Sequence, residues 1–265
     1  MKVDPGDPRF LPEALMDDRK IKKACNRWDQ FFRTLSGIHP AALEGPILDL
    51  GCGIGHFVAE GLGRGHDVWG VDSRLSKILR YRNMLKHLDA PMKWHHRAVV
   101  GDGFELPFPS KRFSAVSSWY VLEHVWNPGG VLSEIVRILR PGGVVALKAQ
   151  DARNGWEGHY KIPWVPFLSG SLRKVWLDVF EKASDSEKNV VEITQPQVEA
   201  ILETLGCRIV KRAPDPQCLY PNASLESASD VRSLAMEVKA SWNSGTWRPQ
   251  PENLFVYARK PDAYR

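Results

Sequence analysis

Paired cysteines are missing from this chain. Cys25, Cys52, Cys207 and Cys218 form no C-x-x-C pair and have no histidine partner at zinc spacing, which removes the structural-metal and disulfide-framework readings. Also missing is any run approaching the roughly 18 apolar residues of a membrane span. The opening MKVDPGDPRF has no apolar core of a secretory signal. These absences predict a soluble, cytoplasmic protein without a bound metal. Internal repeats and low-complexity tracts are absent as well, so solenoid and disordered architectures fall away. What is present is ordinary globular material: 265 residues, 43% hydrophobic and 25% charged, with enough chain for a large core. The formal net charge of +5 and pI near 9.0 admit an anionic substrate, a membrane surface or nucleic acid, and require none of them.

The organising stretch is Ile47 to Phe57, ILDLGCGIGHF. Ile47, Leu48, Asp49 and Leu50 suit a buried strand with a polar end, and they run into Gly51, Gly53 and Gly55 ahead of a short helical pattern. Strand, tight turn and helix start follow. Glycines there allow positive φ and close approach of a ligand to the main chain. A dinucleotide site would ask for G-x-G-x-x-G with pyrophosphate on the helix N-terminus, but His56 stands where the third glycine would be. A second strand, HDVWGV, ends at Asp72, near the spacing at which a carboxylate meets the ribose hydroxyls of an adenosine cofactor.

On Asp49, the three loop glycines and Asp72, and on the later segments GDGFELPF, YVLEHV and RILRPGG, the chain resembles the class I S-adenosylmethionine-dependent methyltransferases. The subgroup it looks like is that of small-molecule and lipid methyltransferases. The resemblance covers about residues 45–149 strongly and the C-terminal part in outline. It implies a Rossmann-like, doubly wound α/β sheet of seven strands with an antiparallel last strand. It also implies S-adenosylmethionine as cofactor, with Asp49, Gly51, Gly53 and Gly55 at the methionine end, Asp72 at the ribose, and Asp102 with Gly103 at the adenine. A polar turn capped by Asp102 is what the same letters would mean elsewhere.

Along the chain, residues 1–12 carry Pro5, Pro8 and Pro12 and read as an extended arm. From Pro12 to about Leu35 the pattern is an amphipathic helix with Arg19, Lys20, Lys22 and Lys23 in its first half. The resemblance implies that residues 1–44 are an arm and helical lid on a methyltransferase domain spanning 45–265 with insertions at 151–193 and 214–250; packing on the sheet edge is the plainer role for that helix. Helices are expected at Phe57–Leu62, Ser73–Leu88, from Pro128 onward, at Gln195–Leu205 and at Asp230–Trp242. Strands are expected within Met92–Val100, at Phe113–Trp119, Val144–Leu147 and Cys207–Lys211, and at Asn253–Ala258, the last antiparallel beside the sixth. The cationic run Arg74, Lys77, Arg80, Arg82 and Lys86 reads as a solvated helix face before it reads as a nucleic-acid footprint. Alternation stops at 151–193 and again at 214–250. Both segments leave the carboxyl end of a strand, where open α/β sheets bind ligands.

The acceptor pocket is therefore expected over that edge, with Tyr120, Trp164 and Phe167 as its walls. Candidates for handling a proton are His124, after the fourth strand, and His159 with Tyr160 in the aromatic insertion; packing and cofactor placement is the other role open to His124. Neither an Asp/Asn-Pro-Pro-aromatic signature nor a Pro-Cys nucleophile follows the fourth strand, which argues against methylation of base amines and of pyrimidine carbon 5. The expected reaction is methyl transfer to oxygen or nitrogen of a small organic acceptor, with no nucleic-acid partner. The rivals are a glycan or lipid-linked acceptor at a membrane surface, a cofactor-fold RNA-binding protein without turnover, and, lower, an NAD-dependent oxidoreductase.

Overall fold

Four consecutive residues of β1 (Ile47–Leu50) are buried, as a strand covered on both faces requires, and the rest of the sheet grows outward from it. The computed structural model describes residues 18–158, 160–168, 170–182, 191–213, 225, 227–246 and 253–262. The arm at 1–12, His159 and Cys218 lie outside the described residues.

Helix α1 (Asp18–Ile38) leads into the regular alternation: β1, α2 (His56–Gly63), β2 (Val68–Asp72), α3 (Leu75–His87), β3 (Ala98–Val100), β4 (Phe113–Trp119), α4 (Pro128–Ile138) and β5 (Leu139–Gln150). A two-strand ribbon, β6 (Trp156–Glu157) with β7 (Ile162–Pro163), and helix α5 (Gly170–Val179) follow. The fold closes with α6 (Gln195–Thr204), β8 (Arg208–Arg212), α7 (Ala228–Ser244) and β9 (Asn253–Arg259). The seven-stranded sheet has the order β3-β2-β1-β4-β5-β9-β8, with β9 antiparallel to both of its neighbours. This is the doubly wound sheet with an antiparallel last strand that the sequence predicts. Strand order reverses between β1 and β4, so the crevice outside their carboxyl ends is the switch point where ligands bind.

Side-chain alternation divides the core. Leu48, Leu50, Val116 and Leu147 face one way, onto α4 and α6, while Ile47, Ala115, Val144 and Tyr257 face the other, onto α1, α2 and α3. Helix α1 belongs to this second core: Trp28, Phe31 and Leu35 are fully buried against Phe57 and Val68, each contributing roughly 1.5–3 kcal/mol by leaving water. Its last residue, Ile38, falls later than the Pro12–Leu35 pattern suggests.

Two further differences have local causes. Before β3, Met92–His96 winds into a 3-10 turn, leaving only three strand residues. The stretch 151–193 contains α5, hidden from sequence reading by its density of aromatics and prolines. The two interruptions fold together: Tyr160, Trp164, Trp176 and Phe180 share a third apolar cluster with Val231, Ala235 and Val238 of α7.

Candidate active site

The glycine loop leaves β1 with Gly51, Gly53 and Gly55 at φ of 72°, 58° and 73°. A Cβ on Gly51 would stand 2.2 Å from the Val121 side chain, and one on Gly55 2.2 Å from the Tyr81 ring, so these two positions exclude any side chain. At Gly53 there is open space instead. The loop's own amides are committed: Gly51 and Cys52 donate to the Val71 carbonyl at 2.8 and 3.0 Å, Gly55 donates to the Cys52 carbonyl at 3.0 Å, and Gly53 donates to Asp72 Oδ2 at 2.9 Å. A pyrophosphate would find these four donors taken.

Asp72, at the end of β2, also accepts from the Arg74 amide through Oδ1 at 3.0 Å. Each carboxylate oxygen keeps a second lone pair, which leaves the group able to receive ribose hydroxyls. Past β3, Asp102 Oδ1 accepts from the Phe104 amide at 3.0 Å. That turn is held from α4, where Glu134 accepts from the Leu106 amide and Arg137 donates to the carbonyls of Leu106 and Phe108. Sequence reading did not mark Glu134 and Arg137; their i,i+3 spacing is ordinary, and only the fold brings the loop to them.

Gly51, Asp72, Asp102, Gly103, Tyr120 and His124 all border one cavity of about 420 Å³ at the switch point, with Val71, Val121 and Val131 supplying apolar wall. The volume suits a nucleoside-sized ligand. His124 sits at the end of the turn Leu122–His124 and is exposed, while Tyr120 holds an unusual φ of 58° directly after β4. Burial and Glu123 push the Tyr120 phenol above its ordinary range.

Asp49 is elsewhere. It lies beneath the loop, fully buried, and its carboxylate is gripped by Arg27 of α1, whose Nη2 also donates to Ser117 Oγ at 2.9 Å. The guanidinium packs over Phe57 and Trp119, 4.5 and 4.9 Å from their ring centres. Burial pushes the Asp49 carboxyl up to about 6, although Arg27 pulls it the other way. Arg27 was not singled out by sequence. Its signal was a cation beside the buried Trp28 and Phe31 on one helix.

Tyr160 and Trp164 are likewise not brought to the large cavity. Their rings stack 6.0 Å apart in the third cluster, the Trp164 indole donates to Glu192 at 2.8 Å, and with Glu123 and Glu157 they enclose a space of only about 20 Å³. That is room for about one water. Phe167 is 55% exposed at a φ of 63°. Among the described residues no helix is long and apolar enough to cross a membrane, and no group of three or more His, Cys, Asp or Glu could hold a metal.

Residues 19–211 match the family described as a methyltransferase domain. A sterol 24-C-methyltransferase of Pneumocystis carinii (strain B80) is 29% identical over 237 residues, 87% of this chain and 58% of that protein. A ubiquinone biosynthesis O-methyltransferase of Dechloromonas aromatica (strain RCB) is 30% identical over 142 residues, 48% of this chain and 60% of that protein. The chain thus spans less than two thirds of the length of these curated relatives. Among solved structures, a geranyl diphosphate methyltransferase in complex with SAM superimposes with a TM-score of 0.55 at 16% identity, covering 97% of this chain and 92% of that one.

Proposed function

The chain belongs to the class I S-adenosylmethionine-dependent methyltransferases, and from that premise we propose that it methylates oxygen or nitrogen of a small organic acceptor. The observation that carries this reading is the single cavity bordered by Asp72, Asp102 and Gly103, with the loop amides above it already satisfied. Asp72 receives the two ribose hydroxyls, and Asp102 accepts from the adenine amino group while the Gly103 amide donates to the ring. Gly51, Gly53 and Gly55 let the methionine end approach the main chain. Asp49 serves that end from beneath, by fixing the loop through Arg27.

When bound, S-adenosylmethionine would supply a sulfonium methyl group for an acceptor lone pair, the carbon–sulfur bonding pair returning to sulfur. The protein's part is alignment and exclusion of water, which can supply most of the acceleration in such a displacement. Tyr120 and His124 border the cavity and stand nearest the acceptor in this reading. His124 takes the acceptor proton when oxygen is methylated, and an amine acceptor needs little help. Trp164 and Tyr160 pack in the third apolar cluster, and with Phe167 they shape acceptor access in this reading, a role proposed for His159 as well. Tyr160 and Trp164 act from within that packed cluster.

Calorimetric titration with S-adenosylhomocysteine, beside NAD and beside an Asp72→Ala variant, tests the reading. Binding of the homocysteine compound alone, lost in the variant, supports it. Binding of NAD in its place, or silence with both, overturns it.

A further inference from the structure

Register places an unusual set of charges under the first half of α1. Asp49 pairs with Ser117, Trp119 with Lys148, and Lys148 with Phe255 across β1, β4, β5 and β9. Residues two apart in a strand share a face, so Asp49, Ser117, Trp119, Lys148 and Phe255 all lie on the face that α1 covers, toward the carboxyl edge. Onto them α1 lowers Arg27 and, one turn earlier, Lys23. The Lys148 ammonium stands 4.8 Å from the centre of the Trp119 ring and 5.6 Å from that of Tyr120. Burial, and then the charges of Lys23 and Arg27, hold Lys148 below its ordinary range.

Lys23 and Arg27 thus act on Lys148, and the one acid of the row, Asp49, is committed to Arg27. Among the described residues Lys148 makes no ion pair. Its register neighbour Trp119 is a donor too: among the described residues its buried Nε1 has no hydrogen-bond partner. A half-buried lysine kept beside two other cations costs stability unless an anion answers it. The aromatic rings soften that cost without supplying the missing acceptor.

We propose that this wedge is the anion subsite for the methyl acceptor. An acceptor bearing a carboxylate or phosphate seats the anionic group against Lys148 and Lys23, with its apolar part along Trp119 and Tyr120. The proposal rests on the methyltransferase reading and deepens it, because Tyr120 borders both the wedge and the cofactor cavity. An anion held at Lys148 leaves the rest of the molecule pointing past Tyr120 toward the transferred methyl.

Matched probe pairs test it: phenyl phosphate against phenol, and phenylacetate against phenylacetamide, titrated into the full chain with and without saturating S-adenosylhomocysteine. The charged member of at least one pair is expected to bind about tenfold tighter, which is one charge-assisted contact. The pair that shows the advantage identifies phosphate or carboxylate as the group. Lys148→Met should abolish the advantage, Lys148→Arg should keep most of it, and Lys23→Met should reduce it about threefold. S-adenosylhomocysteine binding should be unchanged in all three variants. A merely structural lysine would not produce that split. Equal or undetectable binding within both pairs, or an advantage that survives Lys148→Met and Lys23→Met alike, overturns the proposal. Should Lys148→Met fail to fold, Lys23→Met decides alone, since Lys23 is exposed. Loss of S-adenosylhomocysteine binding in the unaltered protein would instead strike the methyltransferase reading, whatever the probe pairs show.

Discussion

Replacing Arg27 by methionine tests the buried pair that joins α1 to the glycine loop. The Asp49 carboxylate is fully buried, and its acid is raised from 3.8 to about 6 even with Arg27 in place. The folded protein therefore holds that proton more tightly than the unfolded chain does. In sign, Asp49 contributes most stability below pH 3.8, loses it as the pH rises through 6, and at neutral pH costs about 3 kcal/mol by linkage. Without Arg27 the folded acid titrates higher still. At pH 8, Arg27→Met leaves a lone buried charge or forces protonation, and breaking such a pair costs about 3–5 kcal/mol. At pH 5 the proton is cheap and the loss shrinks to about 1 kcal/mol. Urea unfolding at the two pH values reads the difference, as a midpoint about 1 M lower at pH 8 for a chain with m near 3 kcal/mol/M. Adding Asp49→Asn to Arg27→Met should recover all but about 1 kcal/mol, because the uncompensated charge is gone. An equal loss at pH 5 and pH 8, or a double variant no better than the single, would refute the assignment of Asp49 as an ion whose partner is Arg27.

The loop and its surroundings give further expectations. Gly55→Ala should unfold at a markedly lower temperature than Gly53→Ala: both positions have positive φ, about 1–2 kcal/mol for an L residue, but only Gly55 would drive a Cβ into the buried Tyr81 ring. Thermal melts that rank the two alike would contradict this. Asp72→Asn should weaken S-adenosylhomocysteine about tenfold and Asp72→Ala about a hundredfold, each hydrogen bond to a charged group being worth roughly 1.5–3 kcal/mol; calorimetry measures both. Trp28→Ala should cost about 3–5 kcal/mol in denaturant unfolding, since the ring is 1% exposed between α1 and α2. For an oxygen acceptor, His124→Gln should lower kcat about a hundredfold with S-adenosylhomocysteine affinity within about twofold of the unaltered protein; an unchanged kcat would leave His124 no proton to handle.

The parts legible in sequence were those written locally. Ile47–Leu50 reads as a buried strand because apolar residues run straight into glycines, and Pro128 announces α4 because a proline at N1 is a chain-local device. The doubly wound class of the sheet followed from alternation, and the antiparallel last strand from Asn253–Ala258. Arg27 and Lys148 were not legible, because their meaning depends on a register between β4, β5 and β9 that no spacing encodes. The burial of Trp164 and Tyr160 was not legible either. Aromatic density marks a pocket wall and a small core equally well, and here the two interruptions close on each other and bury them.

The loop explains why three alternate glycines suffice where a dinucleotide site uses another spacing. Gly51, Cys52 and Gly55 spend their amides on carbonyls and Gly53 spends its own on Asp72. The bend is thus fixed before any ligand arrives, and Asp72 is part of what fixes it. One residue links the shape of the loop to the grip on the ribose. Asp49 does the same from below, where Arg27 ties the base of the bend to α1. The commitment of the only acid in that row to the loop is what makes the wedge beside it electropositive. An acceptor that brings its own negative charge completes the row, so α1 serves both tasks with different cations, Arg27 supporting the cofactor loop and Lys23 the acceptor.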